Sequence, residues 1–154
     1  MIKNIILDIG NVLAKFRWRE MFRALGFDRE TFDIVAQATV LSPWWVEYDR
    51  SLLSDTEIMA GCRSLAPGYE SQVQAVFDHI ENICAPFDYA RAWIYQMKAS
   101  GYGVYLLSNF GRTSFEIASR KFDFMDLIDG HMISYEVEAV KPDRDIFAAL
   151  EAKY

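Results

Sequence analysis

Ile5-Ile6-Leu7-Asp8-Ile9-Gly10-Asn11-Val12-Leu13 is the stretch that decides the fold. The segment Ile2 to Leu7 is short, apolar and rich in isoleucine, and it stops at a carboxylate, Asp8. Gly10 and Asn11 follow, so the chain reads as a strand running into a tight loop. An apolar pattern that is continuous rather than alternating predicts a strand covered on both faces, as in a parallel α/β sheet.

Working outward, the same pattern returns twice. Val104 to Leu107 is a second strand, finishing at Ser108-Asn109, and Gly130 to Ser134 is a third, followed by a loop that reaches Lys141. Helical patterns stand between and after them. Ala90 to Ser100 carries Ala90, Trp93, Ile94 and Met97 at helical spacing and ends at Gly101; Thr113 to Lys121 and Asp143 to Ala152 complete the set. Strand, helix, strand, helix, strand, helix is the rhythm of βαβ units. The fold class is therefore α/β with a parallel sheet.

One long segment departs from this rhythm. From about Phe16 to Phe87 the spacing is helical: Trp18, Met21, Phe22 and Leu25 before a stop at Gly26, then a helix opening at Asp28. Ser54 with Glu57 three residues on forms a capping-box signature, and Gln72 to Ile83 is a fourth helical stretch. No strand signal of comparable strength interrupts it. The expected organisation is a discontinuous core, 1–15 and 88–154, with a helical insertion, 16–87.

Composition sets the outer limits. The 154 residues are 52% apolar and 25% charged, enough apolar material for a core and too much for disorder at a net charge of −6. No run approaches a membrane span, and the N-terminal apolar stretch is too short for a signal peptide, so a cytoplasmic location is expected. A pI near 4.9 gives no footprint for nucleic acid. Cys62 and Cys84 read as two reduced, semi-buried thiols, and the two histidines show no zinc spacing.

In a parallel sheet, ligands bind beyond the carboxyl ends of the strands. Those ends deliver Asp8, then Ser108 and Asn109, then Lys141. A carboxylate can act as a covalent nucleophile toward phosphorus. A hydroxyl, backbone N–H groups and a lysine can bind the non-reacting phosphate oxygens. A divalent ion would offset the repulsion between anionic nucleophile and anionic phosphate.

These motifs, with Val140-Lys141-Pro142-Asp143, resemble those of the haloacid dehalogenase-like (HAD) hydrolases over nearly the whole chain. The Asp-x-Gly-Asn-Val form is similar to the sugar-phosphatase branch that includes bacterial α-glucose-1-phosphate phosphatase. The helical insertion falls at the place of that superfamily's cap. The resemblance implies that Asp8 becomes an aspartyl-phosphate, that Ser108, Asn109 and Asn11 contact the phosphorylated substrate, and that Lys141 steadies phosphate and nucleophile. It implies Mg²⁺ held by the Asp8 carboxylate and the Gly10 backbone carbonyl. It implies a small phosphorylated metabolite, such as a sugar phosphate, as substrate. It also places Trp44-Trp45-x-x-Tyr48-Asp49-Arg50 in the part of the cap that faces the active site.

Two positions depart from the family pattern. Most phosphatases of the superfamily carry a second Asp two residues beyond the nucleophile as general acid; here that residue is Gly10, so water or a cap residue has to substitute. The fourth motif, an acidic pair at the end of a further strand, has no counterpart in the 13 residues after Lys141. Strands four and five of the sheet are expected to be missing, either in a naturally truncated chain or in a piece of a longer one. The first strand then becomes an edge open to a homodimer partner. Two functions from different classes stay open: a Mg²⁺-dependent phosphatase, and a catalytically impaired remnant that binds phosphate or a protein partner. A metal-independent dehalogenase is a third, which the Gly10-Asn11 pair fits less well.

Overall fold

The computed structural model describes residues 2–154. Three parallel strands form the main sheet: β1 (Asn4–Leu7), β4 (Gly103–Ser108) and β5 (Gly130–Ile133), with β4 in the middle. Ile5 pairs with Val104 and Leu7 with Leu106, while Leu106 pairs with His131 and Ser108 with Ile133. The central strand β4 buries Val104, Leu106, Leu107 and Ser108.

Both faces of the sheet are covered, by different helices. Val104, Leu106 and Ile133 belong to the main core with Ile94 of α6 (Ala90–Ala99) and Phe115 of α7 (Arg112–Ala118). Leu107 and Met132, one step along their strands, pack on the opposite face with Ile146 and Leu150 of α9 (Arg144–Lys153). The period-two alternation of a strand sends neighbouring residues to opposite layers, which is why consecutive apolar residues are needed here.

β1 stands at an edge of the sheet, as expected, but its faces are less covered than its composition suggests. It pairs only with β4 among the described residues, and Ile6 is 53% exposed. An isoleucine-rich run identifies a strand, but its place in the sheet depends on what pairs with its other side.

The helical insertion forms as α1 (Trp18–Ala24), α2 (Arg29–Ala38), α3 (Pro43–Arg50), α4 (Asp55–Ser64) and α5 (Glu70–Asp78), closed by a 3₁₀ turn over Ile80–Asn82. Local chemistry starts and stops these helices. Asp28 accepts from Thr31 N–H at 2.9 Å, and Ser54 and Glu57 make a reciprocal capping box. Gly26 takes φ +77° after α1, a conformation that costs a Cβ-bearing residue energy.

Two short strands that the sequence reading did not offer stand at the two ends of the helical insertion. β2 (Ala14–Phe16) and β3 (Cys84–Pro86) form a two-stranded antiparallel ribbon, with Phe16 opposite Cys84. Three-residue strands leave too short a pattern to stand out from loop in sequence. The ribbon carries the chain out to the helices and back, so it fixes where they sit relative to Asp8. The short helix α8 (Ser134–Val137) directly after β5 also lacks a sequence signal long enough to predict it. Cys62 and Cys84 are both free and buried, and no helix is long and apolar enough to cross a membrane among the described residues.

Candidate active site

Asp8 follows the last residue of β1, and Ser108 ends β4 beside it. Parallel pairing aligns the two C-terminal ends, so residues 100 positions apart in the chain meet: Ser108 Oγ donates to Asp8 Oδ1 at 2.8 Å. The same oxygen accepts from the Ile9 backbone N–H at 2.8 Å. Lys141 Nζ lies 2.9 Å from the other carboxylate oxygen, Oδ2, and also donates to the Leu107 carbonyl at 2.9 Å. A carboxylate with both oxygens anchored presents a fixed direction of attack, and a cation beside it offsets charge arriving there.

Asn109 meets Lys141 through its backbone. Asn109 Oδ1 accepts from Lys141 N–H at 2.7 Å, and its Nδ2 donates to the Lys141 carbonyl at 3.1 Å. The side chain offered by the sequence as a substrate contact therefore holds the lysine loop in register. The peptide that follows, Lys141–Pro142, is cis.

The loop after β1 is shaped by Asn11, which takes φ +56°, a conformation asparagine tolerates better than most residues. Its N–H donates to the Ala14 carbonyl at 2.7 Å and its Oδ1 accepts from Phe16 N–H at 3.1 Å. Asn11 thus ties the Asp8 loop to the start of the ribbon, in addition to lining the cavity above the site.

That cavity, of ≈ 200 Å³, lies between the strand ends and the cap. Gly10, Asn11 and Asn109 contribute core-side wall; Phe16, Trp45, Ile83 and Cys84 make an apolar wall on the ribbon and cap side. The two tryptophans separate in role. Trp44 packs flat on Gly61 of α4, where an added Cβ would come within 2.2 Å of the indole. Trp45 faces the cavity and packs against Phe16 and Tyr48, with ring centroids 6.1 and 5.2 Å apart.

Asp49, at the end of α3, lines the same cavity. Its backbone carbonyl accepts from Ser134 Oγ at 2.6 Å, and Ser134 Oγ in turn accepts from Phe110 N–H at 2.9 Å. A cap helix is thereby docked onto the loop after β4. Arg50 adds an ion pair to Asp143 at 3.3 Å, and Arg112 N–H donates to Ser51 Oγ at 3.2 Å. Burial pushes the Asp49 carboxyl up to about 7; the Gly111 amide opposes this and the nearby Asp8 charge reinforces it. The sequence marks the segment carrying Asp49, yet nothing in it distinguishes this carboxyl from an exposed one.

Hard oxygen donors suited to Mg²⁺ are present at the strand end. Asp8 Oδ2 carries only the Lys141 contact, and the hydrogen bonds of the Gly10–Ala14 bridge run from Asn11 N–H to the Ala14 carbonyl and from Ala14 N–H to the Ile9 carbonyl, leaving the Gly10 carbonyl outside them. No group of three or more His, Cys, Asp and Glu gathers as a metal cage among the described residues. Mg²⁺ keeps several waters and commonly takes one or two carboxylates plus substrate phosphate oxygens, so the donor set fits that ion.

No protein-family model matches the sequence, and no curated protein matches it. Solved structures do match. The HAD-family enzyme BT-2542 from Bacteroides thetaiotaomicron is 23% identical with a TM-score of 0.70, over 99% of this chain and 78% of that one. The same enzyme has been solved in complex with magnesium and inorganic phosphate, at the same identity and TM-score and over 99% and 79% of the two chains. A predicted HAD-like family hydrolase from Porphyromonas gingivalis is 22% identical with a TM-score of 0.71, over 99% and 76%. The chain has the fold of the HAD enzymes.

Proposed function

We propose that the protein is a Mg²⁺-dependent phosphatase of a small phosphorylated metabolite, with a sugar phosphate as the first class to test. The observation that carries this reading is the convergence on Asp8 of Ser108 and Lys141, each within hydrogen-bond distance of a different carboxylate oxygen. The HAD fold and the neighbour solved with magnesium and phosphate support it.

In the proposed reaction an Asp8 carboxylate oxygen attacks phosphorus, and the bond from phosphorus to the ester oxygen breaks. Ser108 and Lys141 hold non-reacting phosphate oxygens and offset their charge as the transition state forms. Asn109 keeps Lys141 in place through its backbone. Water then hydrolyses the aspartyl-phosphate and regenerates Asp8. The Asp8 carboxylate and the Gly10 carbonyl would hold Mg²⁺, which when bound would supply positive charge against the repulsion between nucleophile and phosphate. The apolar wall of Phe16, Trp45 and Ile83 receives the leaving group and limits the water around it.

The test is hydrolysis of a panel of phosphate esters by the purified chain, with and without Mg²⁺, alongside Asp8→Asn. Turnover that needs both Mg²⁺ and Asp8 is expected. Turnover that persists in Asp8→Asn contradicts the assignment.

A further inference from the structure

We infer that Asp49 is the proton donor to the leaving group, taking from the cap the role that Gly10 has no side chain to perform; this inference rests on the phosphatase reading. In-line displacement puts the attacking and leaving oxygens on opposite sides of phosphorus. Asp8, Ser108 and Lys141 all come from the core strands and the loop after them, so the leaving oxygen points away from them, toward the cap. Asp49 is the cap carboxyl that lines the cavity with Gly10 and Asn109.

Three further observations support the assignment. Space is open at Gly10: an added Cβ would meet no atom within 4 Å, so no neighbouring side chain has moved into that position to serve in its place. Asp49 has no cationic partner among the described residues, whereas its neighbour Arg50 pairs with Glu47 and Asp143. A half-buried carboxyl in an apolar-walled cavity with no cation beside it favours its neutral, proton-carrying form, in line with its upward shift. Its place is fixed by the Ser134 hydroxyl on its own carbonyl, so the carboxyl is held on a docked helix rather than on a free loop.

The proton balance closes over one turnover. As the P–O ester bond breaks, the Asp49 carboxylic acid gives its proton to the departing oxygen, which leaves as an alcohol. In the second half, the Asp49 carboxylate takes a proton from the water that attacks phosphorus. The bond from phosphorus to Asp8 breaks, and inorganic phosphate, the Asp8 carboxylate and the protonated Asp49 are restored.

The experiment compares an alkyl phosphate, whose leaving group needs a proton, with 2,4-dinitrophenyl phosphate, whose leaving group does not. In Asp49→Asn the alkyl ester is expected to lose about 10²-fold or more in kcat/KM, which reports the phosphoryl-transfer half, and the dinitrophenyl ester at least tenfold less than that; kcat, which includes the shared dephosphorylation, falls for both. Adding Gly10→Asp to Asp49→Asn is expected to restore alkyl-ester hydrolysis, since a Cβ at position 10 meets nothing within 4 Å; a merely structural loss would not be restored this way. Equal losses in kcat/KM on both esters, or no loss on either, overturn the inference and leave the phosphatase reading standing. Hydrolysis of neither ester by the wild-type chain overturns that reading and the inference with it. Should Asp49→Asn not fold, the wild-type chain still decides: kcat/KM nearly independent of leaving-group pKa is expected, and a steep dependence overturns the inference.

Discussion

Asn109 grips the backbone of Lys141 from both sides, accepting from its N–H at 2.7 Å and donating to its carbonyl at 3.1 Å. The lysine side chain then reaches back to Asp8 and to the Leu107 carbonyl. One amide therefore determines where the positive charge of the site stands.

Asn109→Ala removes both bonds. Two partly buried hydrogen bonds lost without replacement cost about 1–3 kcal/mol of stability, read as a lower denaturant midpoint at unchanged m-value. A displacement of Lys141 by about 1 Å is expected to lower kcat by up to ~10²-fold. Asn109→Asp is informative beside it: Oδ1 can still accept from Lys141 N–H, but the donor to the carbonyl is gone, so it should fall between wild type and Asn109→Ala in stability.

Gly111 is the second point where core and cap depend on each other. A Cβ there would stand 2.5 Å from the Tyr48 ring, which is buried beneath the loop after β4. Gly111→Ala is expected to cost about 1–3 kcal/mol by overpacking. Tm should fall by about 2–4 °C for each kcal/mol in a chain of this size. Calorimetry of the variant, with Tyr48→Leu as a partner that opens space, checks whether the clash is the cause.

Asp49 makes stability fall with rising pH over a defined window. Its carboxyl is at about 7 in the folded protein against an ordinary 3.8, so between these values the folded state binds the extra proton. The unfolded chain binds fewer protons there than the folded one, and stability declines as pH rises from about 4 through about 7. The whole decline amounts to about 4 kcal/mol at most. Asp49→Asn should match wild type near pH 4 and exceed it at pH 8, as read by urea unfolding. Tyr48 and Cys84, also near the cavity, do not interfere: burial pushes the phenol up to about 12 and the thiol up to about 11, so both stay neutral throughout. Surface carboxylates such as Asp126, held low by hydrogen bonding to Arg91, act in the opposite sense and at lower pH.

Much of this arrangement is legible in the sequence because it rests on chain-local signals. The apolar runs ending at Asp8 and Ser108 mark two strands, and parallel pairing alone brings their ends together. Asp28 and the Ser54–Glu57 pair cap the helices where expected, because a cap is a matter of three or four consecutive residues. What is not legible depends on residues distant in the chain. The ribbon of Ala14–Phe16 with Cys84–Pro86 exists only because two three-residue segments find each other across the whole insertion. The enclosure of Asp49 depends on Ser134, Phe110 and Gly111, about sixty or more positions away. Asn109 can be placed at the site from its neighbour Ser108, but its use as a clamp requires knowing where Lys141 returns to the sheet.

The central claim is that Asp8 carries the phosphoryl group, and the most direct measurement looks for that group on it. The chain is mixed with a reactive phosphate ester and Mg²⁺, quenched within the first turnover, reduced with borohydride, and digested for peptide mass spectrometry. The account predicts homoserine at position 8 in the quenched wild-type sample, its absence without substrate, and its absence in Asp8→Asn. Ester hydrolysis by the wild-type chain with the modification at another residue, or with position 8 unmodified throughout the first turnover, would contradict it.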